Sequence, residues 1–334
     1  MLDYIKEVYP EIYLAEIPLK GNPLKSINIY IIKSENENMI IDTGFNTDEI
    51  LSMTKGFIND LNLDLSKTSL FLTHLHSDHT GLANFYDKLG VKIYMGEVDG
   101  SLHSDFMNRN GIHWPEIEYY GHMQGLDADD LKIEDHPGYK YRPKHEFPYI
   151  ALNPGDKLKI GKFDFNIVDL CGHTPGMIGL YDSEKSILFC GDHILGKITP
   201  NIQFWGFDFG DSLGTYLKNL EVVRNMNIKH LFSSHRYLID NVNDRIDELV
   251  LHHQKRLDEA VKALGEKDCT VRDVTKDLQW DISAKNWDDF PKSQKWFAAG
   301  EAHAHLEHLR YLGIADFYKS SDDVLYYFLS KNLK

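Results

Sequence analysis

The chain has 334 residues, 42% of them hydrophobic and 26% charged, and a net charge of −15, a composition that suits an ordinary globular protein with room for two domains. From residue 251 on, 13 Lys and Arg stand against 14 Asp and Glu, so the acidity belongs to the first 250 residues, a body that repels phosphate backbones and makes nucleic acid an unpromising partner. No run approaches the roughly 18 apolar residues of a membrane span, the opening MLDYIKEVYP does not read as a signal peptide, and Cys171, Cys190 and Cys269 are too scattered for a disulfide framework; a reduced, cytoplasmic protein is expected.

In chain order, EIYLAEIPL and INIYIIKS read as strands, and NMIIDTG as a short buried strand ending at Asp42. A helix is expected from about Asp48 to Leu61. SLFLTHLHSDH then runs from a strand into a polar motif, GLANFYDKLG makes a short helix and VKIYM another strand. Residues 97–150 lose their periodicity and gather His, Trp, Tyr and Pro; they read as an irregular insertion lying over an active site. Strands resume in DKLKIGKFDFNIVDL, SILFCGD and HLFSSH. From Asn243 the period becomes helical, with Ile246, Leu249, Val250, Leu257, Val261 and Leu264 on one stripe. Thr270 and Asp273 resemble an N-cap pair, Ser293 to Leu312 is a further helix, and FYKSSDDVLYYFL a hairpin. The expected division is 1–245 and 246–334, the second part having the element order of a small winged-helix module.

THLHSDH places His74, His76, Asp78 and His79 within seven residues, and three later strands end at His173, Asp192 and His235. Five imidazoles and two carboxylates suit zinc, iron or manganese, and seven ligands are enough for two ions sharing a carboxylate. Side-chain alternation lets His74 and His76 grip one ion, while Asp78 and His79 turn into the next helix toward a second. The glycines of HTG, CGHTPG and FCGDH are expected to let backbone approach the metals.

These residues, in this order, resemble the metallo-β-lactamase fold superfamily in its binuclear HxHxDH branch. The resemblance implies an α/β fold, an αββα sandwich with a C-terminal winged-helix-like domain. It also implies two divalent ions, zinc before iron or manganese. His74, His76 and His173 would hold the first and Asp78, His79 and His235 the second, with Asp192 bridging and Asp42 orienting the metal-binding loop. A metal-bridging hydroxide would attack the substrate, Asp78 would accept a proton, and His193 would touch the substrate or protonate a leaving group.

His103, His113, Trp114, Tyr119, Tyr120 and His122 of the insertion, with Phe204 and Trp205, are candidates to line the pocket. Cys171 reads as a small packed residue, and His303, His305 and His308 as packing or interface residues, only the last two sharing a helix face. The expected substrate is a small ester, thioester or lactone; a ribonuclease or phosphodiesterase is the alternative, and a di-iron redox role ranks last. The aromatic tail is expected to pack on the catalytic domain or form a homodimer.

Overall fold

The computed structural model describes residues 2–108, 113–265 and 267–330, with the backbone alone at 105–108 and 113. Seven strands form a first sheet in chain order: β1 (Ile5–Tyr9), β2 (Ile12–Pro18), β3 (Ser26–Lys33), β4 (Asn38–Ile41), β5 (Thr68–Leu72), β6 (Lys92–Gly96) and β7 (Ile150–Leu152). Pairing is antiparallel from β1 to β4 and parallel from β4 to β7. A second sheet holds β8 (Lys157–Ile160), β9 (Phe163–Asp169), β10 (Ile178–Asp182), β11 (Ile187–Gly191) and β12 (His230–Ser233), with β11 and β12 parallel.

The sheets face each other across a core that includes Ile12, Ile32 and Phe71 from one and Phe163, Phe165 and Phe189 from the other. This is the layer solution for two sheets that each bury one face. Helices α1 (Asp48–Asp60), α2 (Ser77–Thr80) and α3 (Ala83–Lys88) follow the parallel strands of the first sheet. Thr47 caps α1 by accepting from the Ile50 N–H. Helix α7 (Ser212–Arg224) covers the second sheet, packing Leu213, Tyr216 and Leu220 into a core with Leu188, Cys190 and Leu231.

Residues 97–150 differ from the expected irregular stretch. They contain α4 (Glu97–Asn108), α5 (His113–Met123), two 3₁₀ turns and α6 (Pro137–Lys140). Their helices lack a single apolar stripe because α5 packs on both flanks: Tyr120 meets Phe204, while Gly121 lies so close to Trp296 that a Cβ would come within 2.7 Å of its ring.

The C-terminal region follows the order read from sequence: α8 (Val242–Leu264), α9 (Val271–Asp277), α10 (Lys292–Tyr311), β14 (Ala315–Lys319) and β15 (Leu325–Leu329). A two-residue strand β13 (Cys269–Thr270) was not foreseen and pairs with β15. Thr270 and Asp273 close a reciprocal capping box at the start of α9. The α8 stripe buries Ile246, Leu249, Leu257 and Leu264, and also His253 and Arg256. The region packs on the body: its Leu306, Leu309 and Tyr327 share one core with Leu188, Cys190 and Tyr216.

Candidate active site

The polar motif sits where parallel strands end, the edge at which open α/β sheets gather their functional loops. Strand β4 delivers Asp42, β5 delivers His74 and His76, β11 delivers Asp192 and β12 delivers His235. Helix α2 begins inside the motif, so Asp78 and His79 stand on its first turn, and His173 lies in the β9–β10 loop.

The ligand-type atoms fall into three overlapping groups: His74, His76 and His173; His74, His79 and Asp192; and Asp78, His79 and His235. Within each, the atoms lie within 4.8 Å of one another. Asp192 faces both sides, 3.6 Å from His173 Nε2 and 3.6 Å from His79 Nε2, with His235 Nε2 at 3.3 Å. Asp78 lies 3.4 Å from His235 Nε2.

What aims the rings is visible on their other nitrogens. His79 Nδ1 donates to Asp42 (2.8 Å), His173 Nδ1 to the Asn201 carbonyl (2.9 Å) and His235 Nδ1 to the Ser26 carbonyl (2.7 Å). Asp42 also accepts from the Thr73 N–H (2.9 Å) and sits at φ +64°, a backbone state that a buried aspartate holds only when its neighbours fix it. The Nε2 atoms of His79, His173 and His235 and Oδ1 of Asp192 are then buried with no hydrogen-bond partner in the protein. Orphaned buried acceptors converging from several strands fit divalent metal ions, which would satisfy them all.

The electrostatics divides the site. Burial, followed by the neighbouring His173, pulls His76 down to about 3, and burial likewise lowers His74 and His173. These are neutral imidazoles ready to coordinate. Burial also opposes charge on His235, but Asp192 and Asp78 outweigh it and lift the ring to about 10; Asp42 and Asp192 raise His79 in the same way. Burial would raise Asp78, yet His79 and His235 hold it down at about 2. The carboxylate side of the site attracts positive charge, which protons supply when no cation does.

Asp99, just beyond β6, was missed. It accepts from the Leu75 N–H (3.0 Å), the Thr174 hydroxyl (2.6 Å) and the Gly176 N–H (2.6 Å), joining the β5–α2 motif to the His173 loop. Burial pushes its carboxyl up to about 6 against the pull of those donors. Asp99→Ala should therefore loosen both loops at once and weaken metal retention roughly 10–100-fold, measured by competition with a chromogenic chelator; wild-type retention would show that the loops hold without it.

The motif glycines allow close packing of backbone: a Cβ at Gly81 would meet the Gly44 carbonyl at 2.5 Å, and one at Gly172 the Tyr216 Cβ at 2.4 Å. His193 does not reach the cavity over the site. It is wholly buried, its ring packed edge-on against Tyr216 at 5.2 Å, and burial lowers it to about 4. Both of its ring nitrogens are buried with no hydrogen-bond partner in the protein.

A cavity of about 1530 Å³ opens over the ligands, and His76, Asp78, His173 and Asp192 line it. Among the insertion residues, His103, Trp114 and Tyr120 reach it, as do Phe204 and Trp205. Tyr119 is exposed, and His122 is turned away onto Asp127 and the Asp322 carbonyl; the His113 side chain lies outside the described residues. Cys171 is half-buried, its thiol pushed up by burial. His303, His305 and His308 each have packing partners in Tyr327, His253 and Asp211.

A family profile described as the metallo-beta-lactamase superfamily matches residues 22–235. The "beta-lactamase-like protein 2 homolog" of Caenorhabditis elegans is 24% identical over 260 residues, spanning 77% of this chain and 72% of its own. The human "acyl-coenzyme A thioesterase MBLAC2" is 23% identical over 206 residues, 59% of this chain and 68% of its own. A crystal structure of a metallo-beta-lactamase family protein from Thermus thermophilus superposes with a TM-score of 0.79 at 24% identity, covering 97% of this chain and all 100% of that one. That shared fold takes in the C-terminal region.

Proposed function

The chain belongs to the metallo-beta-lactamase superfamily and is a hydrolase, and on that premise we propose that it cleaves acyl thioesters at a two-metal centre. His74, His76 and His173 would hold one ion, Asp78, His79 and His235 the other, and Asp192 would lie between them. The observation that carries the substrate class is the cavity. At about 1530 Å³ it exceeds the roughly 300–1,000 Å³ of ordinary small-ligand sites. Its walls include Trp114, Tyr120, Phe204, Trp205, Trp296 and Phe297, a lining that suits an acyl chain entering with a carrier arm. A relative named as an acyl-coenzyme A thioesterase supports the same class.

When bound, two divalent ions would lower the pKa of a shared water toward about 7 and polarise the thioester carbonyl. The chain's own residues do the rest. Asp78 lies on the cavity wall, where it would accept a proton from the attacking water. The Nδ1 bonds of His79, His173 and His235 keep the ligand rings from turning. The aromatic walls hold the acyl group and keep bulk water away. A thiol with a pKa of about 8.5 departs as thiolate without a proton donor, so the burial of His193 is no obstacle to a thioester.

Phosphodiester or RNA cleavage gains no support from the C-terminal region. Lys295 and Arg310 of α10, which a nucleic-acid reader would present to phosphates, are bound to Asp129 and Glu307.

Protein purified without chelator should carry close to two transition-metal ions per chain, mainly zinc, by elemental analysis. Chelation should abolish turnover and added Zn²⁺, Fe²⁺ or Mn²⁺ should restore it. On a panel of acyl-CoA thioesters, lactones and phosphodiesters, thioesters should lead by ~10-fold or more in kcat/KM, a margin of about 1.4 kcal/mol. Faster turnover of phosphodiesters would overturn the assignment, as would full activity in metal-free protein.

A further inference from the structure

We propose that α10 of the C-terminal region is a working part of the metal centre, in which Glu301 acts through Asn201 to position His173. The inference rests on the two-metal reading above. Its basis is a strap, residues 201–205, clamped between α10 and the first ligand group.

On the side of the ligands, the Asn201 carbonyl accepts from His173 Nδ1 at 2.9 Å. Trp205 Nε1 donates to the His173 carbonyl at 3.1 Å, and its ring stacks on His76 with centroids 5.8 Å apart. The strap therefore meets His173 at both its ring and its backbone, and His76 at its face.

Facing α10, the Asn201 amide donates to Glu301 Oε2 (2.8 Å) and to the Phe297 carbonyl (3.3 Å). The Phe204 N–H donates to the Gly300 carbonyl (3.1 Å). The Gln203 amide group lies against Gly300, its Oε1 within 2.9 Å of where a Cβ would stand. Asn201 Oδ1 in turn accepts from the Gln203 amide at 2.6 Å, so both ends of its side chain are fixed.

Glu301 is itself held. It is 5% exposed, with Arg256 Nε at 3.5 Å and His252 Nε2 at 3.8 Å. Burial would raise its carboxyl, but His252 and Arg256 outweigh that and keep it at about 2. Arg256 is pinned by its stack over Trp280 at 4.1 Å and its bond to the Gln279 carbonyl. A fixed charge thus stands behind a fixed amide, and the amide's residue presents its carbonyl to the ligand ring. Partners one step removed from a metal commonly set its affinity through this kind of contact.

The test compares two ties between α10 and the rest of the chain. Asn201→Ala removes the side chain that Glu301 holds and leaves the backbone carbonyl in the sequence. Gln124→Ala cuts another side-chain tie to α10, Gln124 to His303 Nδ1 at 3.2 Å, that touches no ligand residue. Each full-length protein is titrated with Zn²⁺ against a chromogenic chelator, its Co²⁺ form is examined by visible absorption, and its metal-free form is melted. Asn201→Ala should weaken one of two ions ~10–100-fold and alter the Co²⁺ bands, with its metal-free melt close to that of the parent. Glu301→Gln, which keeps an acceptor for Asn201, should fall between. Gln124→Ala should leave both ions and the bands unchanged. Unaltered affinity and bands in Asn201→Ala overturn the proposal, and so does an equal loss in Gln124→Ala, which would make the effect one of general stability. A parent protein that binds fewer than two ions would instead overturn the two-metal reading.

Discussion

Asp192→Ala is expected to cause the deepest loss of activity of any single substitution in the site. The Asp192 carboxylate is buried and faces His79, His173 and His235 together, at 3.3 to 3.6 Å. These three rings belong to both ligand groups, so removing one carboxylate strips charge from both sides of the centre. A partner one step removed from a metal already costs ~10–100-fold in affinity or activity when it is lost, and a carboxylate shared by both ligand groups should cost at least ~100-fold in kcat/KM. His193→Ala, one residue on, empties a packing site beside Tyr216 and should cost less than ~10-fold in turnover while lowering the melting temperature. Elemental analysis separates the two further: Asp192→Ala should lose metal and His193→Ala should keep it. Equal losses of activity in the two variants would return His193 to the reaction.

The candidate ligands were legible because each is the last residue of a short apolar run or lies just beyond one. A lone His or Asp after a strand marks little by itself; His173, Asp192 and His235 stood out because they follow the THLHSDH cluster in the order of the family it resembles. Asp99 escaped for the opposite reason. Its work is to accept two backbone N–H groups and one hydroxyl from loops far away in sequence, and nothing local marks an acceptor of that kind. The clue was topological: β6 is parallel to β5, so its end reaches the same sheet edge as the motif. Strand β1 and helix α7 were also overlooked. In α7 the buried set includes Ser212 and Asn219 among Leu213, Tyr216, Leu220 and Val223, which blurs the apolar stripe. Helix α10 was found, but its environment was not. It buries Lys295, Glu301 and Glu307 beside His303 and His305; the two histidines read as packing or interface residues, but nothing local marks the three charged side chains as buried. The glycines mark close approach, with other backbone at Gly81 and with Tyr216 at Gly172.

Removing the chain from residue 242 onward should give insoluble or inactive protein. Residues 242–330 supply Ile246, Leu249, Leu257, Leu264, Val271, Val274, Leu306, Leu309, Leu325 and Tyr327 to the same core that holds Leu188, Cys190, Leu213, Tyr216 and Leu220 of the remaining body. Their loss would bare the outer face of α7 and of the second sheet. Fully burying one such side chain contributes about 1.5–3 kcal/mol, and a whole domain is stable by only about 5–15 kcal/mol. A handful of lost contacts on the retained side is therefore enough to unfold it or drive it to aggregate. The same cut removes Glu301, Phe297 and Gly300 from behind the strap, and Trp296 and Phe297 from the cavity wall. Even a truncated protein kept soluble by solubilising substitutions on α7 should bind metal more weakly and turn over thioesters poorly. Soluble yield, circular-dichroism melting and thioester turnover decide the matter. A soluble truncated monomer with the parent's turnover would show that the body folds and works alone, and would leave the C-terminal region free for another task.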